Sequence, residues 1–245
     1  MADFSSGAPA AVRDRLALAL DADDLVEAQR LATELRPWFS VVKVGLELFT
    51  AAGPAVVQLM IDDGFKVFLD LKLADIPTTI HKTGRVLGAL GVSYLTMHAF
   101  GGPVMLRAGV DGLQEGALRA ELEPPAALAV TILTSDGDAP PHVLGKRVAA
   151  AAEAHCRGVV CAASDVAEAK QLAPSLLAVV PGIRPVGVPA HDQTRAATPA
   201  AALAAGADLL VIGRAVTHAV DRPAAAAALA AELAGVGTSG PAAAR

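Results

Sequence analysis

The run FLDLKLADIP, residues 68–77, closes an apolar stretch with three charged groups, Asp70, Lys72 and Asp75. On an extended strand Asp70 and Lys72 share one face, about 7 Å apart along the axis, while Leu69, Leu71 and Leu73 point the other way. A lysine set among carboxylates suits proton transfer, because its ammonium stabilises a developing negative charge and can then supply the proton. Lys43 interrupts a second apolar run, VVKVG, and Asp21 ends a third, RLALALD. Isolated charges inside a protein cost on the order of several kcal/mol each, so Lys43, Asp70 and Lys72 must pair with one another if they face an interior. Read as structure alone, they are an ion-pair network plugging the mouth of a barrel. Against that reading stands a second group late in the chain, Arg184 in PGIRP and Gly213 with Arg214 in VIGRA. An arginine and backbone N–H groups together suit a phosphate. A phosphate site beside a Lys/Asp array points to a phosphorylated substrate.

The elements that must position these residues follow from the hydrophobic pattern. Short β-branched or Leu-rich runs alternate with longer stretches of helical period, the pattern of βα units on a parallel sheet. The strands fall at 15–21, 40–46, 65–73, 93–99, 127–134, 158–164, 176–183 and 208–214. Asp23 and Asp24 open one helix, Ser164 and Asp165 another, and Pro199 stands where a missing N–H costs little. Gly64, Gly91 and Gly206 sit just past helix ends. With a final helix at 221–235, these units make the fold class α/β: a single (β/α)8 TIM barrel over 1–245, with frayed tails at about 1–12 and 237–245. The open doubly wound alternative wants G-x-G-x-x-G after the first strand, where LDADD stands instead. In a barrel the reactive groups lie at the C-terminal ends of the strands, and each residue singled out above stands where an apolar run stops.

Composition excludes several classes of function. With 25 acidic against 20 basic side chains the chain carries no basic footprint for nucleic acid or an anionic membrane. No stretch approaches the roughly 20 apolar residues of a membrane span, and MADFSSGAPAAVRDR has no leader-like apolar core. Cys156 and Cys161 are too few for a disulfide framework and read as buried thiols in a reducing cytosol, so a cytoplasmic location is expected. The six histidines, His81, His98, His142, His155, His191 and His218, show no metal-ligand spacing. His98 ends the fourth strand and reads as a hydrogen-bonded structural imidazole, His191 as a solvated loop residue. Trp38, Phe39 and Phe49 read as packing, and Lys146 with Arg147 as a solvated helix face.

In its motifs the chain resembles the orotidine 5′-phosphate decarboxylase family, in its bacterial branch, over nearly its full length. DLKLADIP, from Asp70 to Pro77, is similar to the family signature; LALD at Asp21, VKVG at Lys43, ILTS at Thr134, PGIRP at Arg184, DQTR at Gln193 and VIGR at Arg214 follow in the family's order. The resemblance implies decarboxylation of orotidine 5′-phosphate to UMP and CO2, in pyrimidine biosynthesis, with no metal or cofactor, in a homodimer. It implies that Asp21 and Lys43 bind the ribose hydroxyls, that Asp70 lies against the substrate carboxylate and that Lys72 donates the proton. Asp75 would complete a Lys-Asp-Lys-Asp array from the neighbouring subunit, with Ile76 and Thr79 also reaching across. Thr134 would contact the pyrimidine, and Arg184, Gln193, Gly213 and Arg214 would hold the phosphate, under a closing loop formed by RPVGVPAHDQTRAA. Two rivals stay open. Sugar-phosphate siblings, a ketogulonate-phosphate decarboxylase or a hexulose-phosphate synthase, share D-x-K-x-x-D and use magnesium, although the DIP here argues against them. A phosphate-binding barrel without catalysis is the other, disfavoured by an intact Lys72.

Overall fold

A computed structural model of the chain describes residues 4–136, 138–185 and 197–235. Among them eight parallel strands close into a barrel in sequence order: β1 Leu16–Leu20, β2 Val41–Gly45, β3 Lys66–Leu73, β4 Tyr94–His98, β5 Ala126–Val130, β6 Gly158–Val160, β7 Leu177–Val180 and β8 Leu209–Ile212. Each strand lies within or one residue from its expected run, and all eight are shorter. The helices between and around them are α1 Ala10–Arg13, α2 Leu25–Leu35, α3 Leu46–Ala52, α4 Pro54–Asp62, α5 Pro77–Gly88, α6 Gly102–Arg119, α7 His142–Glu153, α8 Val166–Leu172, α9 Pro199–Ala204, α10 Arg214–Thr217 and α11 Arg222–Gly235. The (β/α)8 architecture expected from the alternating pattern is what the chain adopts. No helix among the described residues is long and apolar enough to cross a membrane.

Period-two alternation divides the strands between two cores. Ala17, Ala19, Val41, Phe68, Leu128, Val179, Leu209 and Val211 fill the barrel interior, with Tyr94 and Val160 against them. Their neighbours, among them Leu16, Leu18, Val42, Val44, Leu69, Leu95 and Met97, face outward into the larger core shared with the helices. Inward parity therefore carries Ala19 on to Asp21, Val41 to Lys43, Phe68 to Asp70 and Tyr94 to Thr96. The barrel is apolar at its base and polar at the C-terminal mouth.

Local signals mark the helix ends as expected. Asp24 caps α2, its carboxylate accepting from the N–H groups of Val26 and Glu27. Gly64, Gly91 and Gly206 adopt φ of 81°, 78° and 103°, the left-handed region. Neither cysteine is in a disulfide and both are buried, and burial pushes the Cys156 thiol up to about 12, which leaves it inert. The N-terminal segment is anchored at Phe4. Phe4 is buried and its carbonyl accepts from the buried Trp38 indole N–H at 2.9 Å, so this apolar anchor ties the segment across the barrel's outer layer. Residues 1–3 and 236–245 lie outside the described residues.

Candidate active site

At the C-terminal mouth of the barrel lies a cavity of about 460 Å³, within the usual range for small-molecule sites. Asp21, Lys43, Asp70 and Lys72 line it from β1–β3, and Arg184, Gly213 and Arg214 from β7–β8. Ala19, Phe68, Val130, Val160 and Val211 form an apolar floor between them. Thr134 lines it too, with Ile132 and Leu133 beside it after β5. Glu47, Cys161 and Pro181, to which the sequence motifs gave no site role, also face the cavity.

The array is closely paired. Lys72 Nζ donates to Asp70 Oδ2 at 2.8 Å. Lys43 Nζ stands 3.6 Å from Asp70 Oδ2 and 3.6 Å from Asp21 Oδ1. Burial pushes the Asp70 carboxyl up, but the Lys43 and Lys72 ammoniums, aided by hydrogen bonds from Lys72 and Thr96, outweigh it and hold it below the usual carboxylate range. Asp70 is thus an anion at neutral pH, and two cations converge on one of its oxygens. Asp21 is over half exposed at its side chain, so its link to Lys43 is the weaker, more screened member of the set.

The strand that carries the array is irregular where the chemistry sits. β3 pairs with β4 through Phe68↔Tyr94 and Leu69↔Leu95, and resumes only at Leu73↔Met97. Three residues of β3, from Asp70 to Lys72, thus face Thr96 alone. Lys72 takes φ 49°, a left-handed conformation unusual for a non-glycine residue. Its displaced N–H donates to Thr96 Oγ1 at 2.9 Å, and that hydroxyl donates to Asp70 Oδ1 at 2.9 Å. Thr96 is wholly buried. Strand alternation brings Asp70 and Lys72 to the right mouth but contains neither this bulge nor Thr96. The available signal was parity, since Thr96 is two residues on from the inward-facing Tyr94.

The far side of the cavity is built at the seam of β7, β8 and β1. Arg184 is buried, with its Nη1 donating to the Ile183 carbonyl at 2.8 Å. Ile183 bridges to Ala197, and Arg184 N donates to Ala197 O at 2.9 Å, so Ile183 and Arg184 after β7 pair with Ala197 before α9. Gln193 and His191, assigned to that segment, lie outside the described residues. Gly213 precedes α10, and a Cβ there would stand 3.8 Å from Asp21 Oδ2, which places the β8 end next to the β1 carboxylate.

Asp75, Ile76 and Thr79 behave differently. They are exposed at the start of α5, with Asp75 Oδ1 accepting from the Ile76 N–H at 2.7 Å, and none of them lines this chain's cavity. His98 accepts weakly from Phe100 N–H through Nδ1 at 3.4 Å, and the two rings meet at 4.6 Å. Burial first, then the charges of Arg147 and Lys72, push this imidazole down, so it is neutral at pH 7. Arg147 is no solvated surface residue: it reaches the carbonyl of buried Thr131 and so braces the segment that leads to Thr134. Among the described residues one acidic group could gather a metal ion, the exposed Asp23, Asp24 and Glu27; none of the three lines the cavity.

The model of a family described as Orotidine 5'-phosphate decarboxylase / HUMPS family matches residues 14–229. The orotidine 5'-phosphate decarboxylase of Thermobifida fusca (strain YX) is 44% identical over 238 residues, 91% of this chain and 97% of that one. That of Moorella thermoacetica is 42% identical over 233 residues, 90% of this chain and 92% of its own. The crystal structure of orotidine 5'-phosphate decarboxylase from Lactobacillus acidophilus is similar at a TM-score of 0.74 and 33% identity, over 90% of this chain and 99% of that chain.

Proposed function

The chain belongs to the orotidine 5′-phosphate decarboxylase / HUMPS family, and on that premise we propose that it is a carboxy-lyase that converts orotidine 5′-phosphate to UMP and CO2 without a metal or organic cofactor. The observation that carries this reading is the Lys72 ammonium, 2.8 Å from the ionised Asp70, in a cavity whose other side holds Arg184 and Arg214. In this reading the guanidiniums, with Gly213 and Gln193, bind the phosphate. Asp21 and Lys43 take the ribose hydroxyls and Thr134 the pyrimidine. That pose sets the substrate carboxylate against Asp70 and the ring carbon under Lys72.

The bond from ring carbon to carboxylate then breaks, its electron pair stays on the carbon and CO2 leaves. Lys72 delivers its proton to that carbon, and its amine is reprotonated from solvent. No neighbouring group on the ring accepts the electrons, so the useful help is a fixed positive charge and a ready proton. Asp70 adds repulsion that is relieved as CO2 departs, but one like-charge contact cannot supply an acceleration that reaches about 23 kcal/mol at the top of the enzyme range. Electrostatic stabilisation of the carbanion by lysines already in place carries most of it. Phosphate binding, remote from the reacting bond, helps to organise the site.

The same reading assigns a homodimer in which Asp75, Ile76 and Thr79 serve the site of the second copy. Its support is their exposure at the rim of the barrel together with Ile76 67% exposed after β3, Phe100 63% after β4 and Val104 71% in the first turn of α6. A cytoplasmic place in pyrimidine biosynthesis completes it. The test is the ultraviolet absorbance change of orotidine 5′-phosphate with purified protein in excess EDTA. Rapid conversion to UMP is expected. No turnover by folded protein, followed by turnover of a sugar phosphate once magnesium is restored, would assign the chain to the family's magnesium-dependent members instead.

A further inference from the structure

We propose that Thr96 is a positioning residue for the array: its one hydroxyl fixes the plane of the Asp70 carboxylate and holds the Lys72 backbone in its left-handed turn. What this does for turnover rests on the decarboxylase reading; the geometry itself does not.

The bulge in β3 creates a need that Thr96 meets. Between Leu69↔Leu95 and Leu73↔Met97 the ladder is interrupted, so the Lys72 N–H has lost its place in it. A buried N–H without a partner is costly, and Thr96 Oγ1 accepts it at 2.9 Å. With a lone pair committed to that donor, the hydroxyl proton is free to go to Asp70 Oδ1 at 2.9 Å. The chain of donors therefore runs one way, from peptide to hydroxyl to carboxylate, and favours Asp70 as an anion. Asp70 Oδ2 is left to Lys72 Nζ at 2.8 Å and Lys43 Nζ at 3.6 Å.

Both oxygens of Asp70 are thereby directed, one by a neutral donor rooted on β4 and the other by the lysines. Thr96 is wholly buried and β-branched, so its hydroxyl is set before any ligand arrives. The charged groups that act on Asp70 are Lys43 from β2, with Asp21 beyond it, and Lys72 of its own strand. None of the three lysine and aspartate neighbours can replace a neutral donor on Oδ1 while also receiving the Lys72 N–H.

Thr96→Val keeps the shape and removes the hydroxyl; Thr96→Ser keeps the hydroxyl. The valine variant is expected to lose about 10- to 100-fold in kcat with KM changed less than about threefold, and serine to restore kcat to within about threefold. A carboxyl 13C titration, with the Asp70 signal identified by its loss in Asp70→Asn, needs no substrate. Its midpoint is expected to rise in Thr96→Val and to return in Thr96→Ser. If the valine chain fails to fold, Thr96→Ala carries the same two measurements. A hydroxyl-free variant with unchanged kcat, an unmoved Asp70 midpoint, or a serine variant no better than valine would each overturn the proposal and leave Thr96 a packing residue. Absence of turnover in the unsubstituted protein would strike at the functional reading alone, and the Asp70 titration would still judge Thr96.

Discussion

Lys72 adopts φ 49° although a left-handed lysine costs on the order of 1 kcal/mol, and its own contacts offset that cost. Its N–H is taken by Thr96 and its ammonium by Asp70. The side chain so placed lines the cavity with its ammonium on Asp70. The Asp70 carboxyl lies below its ordinary value in the fold, so its stabilising contribution is full above about pH 3.9 and is lost only as pH falls through the lower folded value. Between pH 5 and 8 the array keeps this negative charge. Removing the ammonium by Lys72→Ala is expected to lower turnover of orotidine 5′-phosphate by at least about 10²-fold while UMP still binds within about tenfold, as read by calorimetry. Retained turnover would remove Lys72 from the proton step.

At the scale of elements, α5 and α6 pack closer than side chains allow. A Cβ at Gly112 would collide with the carbonyl of His81, one at Gly116 with that of Arg85, and one at Gly88 with that of Leu113. Glu115 then ties the pair together, facing Arg85 at 3.9 Å, Arg119 at 2.5 Å and His81 at 3.4 Å. The consequence is a stiff mount for the start of α5, which carries Asp75, Ile76 and Thr79. Gly112→Ala is expected to cost at least about 2 kcal/mol and lower Tm by roughly 5–10 °C. Gly145→Ala is the control. It lies in α7, where an added methyl would meet nothing closer than Leu172 Cδ1 at 3.7 Å, so helix propensity should leave it neutral or up to about 1 kcal/mol more stable. Calorimetric scans of the two variants decide it: equal Tm changes would mean that the helices can move apart.

The whole molecule is acidic, with a formal charge of −5, yet it gathers Lys43, Lys72, Arg184 and Arg214 around one cavity, a local reversal that suits an anionic substrate. The apolar side chains Ile76, Phe100 and Val104 stand exposed near the same mouth. In the proposed dimer each site draws Lys72 from one chain and Asp75 from the other. Mixing inactive Asp75→Ala and Lys72→Ala chains in equal amounts should then make half of the dimers hybrid, each with one intact site, and restore about a quarter of the unsubstituted activity. No recovery after subunit exchange, verified by mass, would mean that each site is built from one chain.

The sequence by itself determined the barrel and most of the charged membership of its mouth. Strand after strand, period-two alternation and terminal polar residues are local properties, and a parallel barrel puts every strand's C-terminal end on one face, so Asp21, Lys43, Asp70, Arg184, Gly213 and Arg214 converge without further information. Only the tertiary structure decided how they are held. The bulge in β3, the left-handed Lys72 and the hydroxyl of Thr96 depend on which residue of β4 stands opposite, and a register interruption leaves no mark on either strand alone. The same holds for Arg147, which helical pattern placed on a surface and whose partner is a carbonyl at the end of β5, and for Phe4, anchored by Trp38. A hydrogen bond between residues far apart in the chain is a choice among partners, and that choice exists only once the barrel has closed.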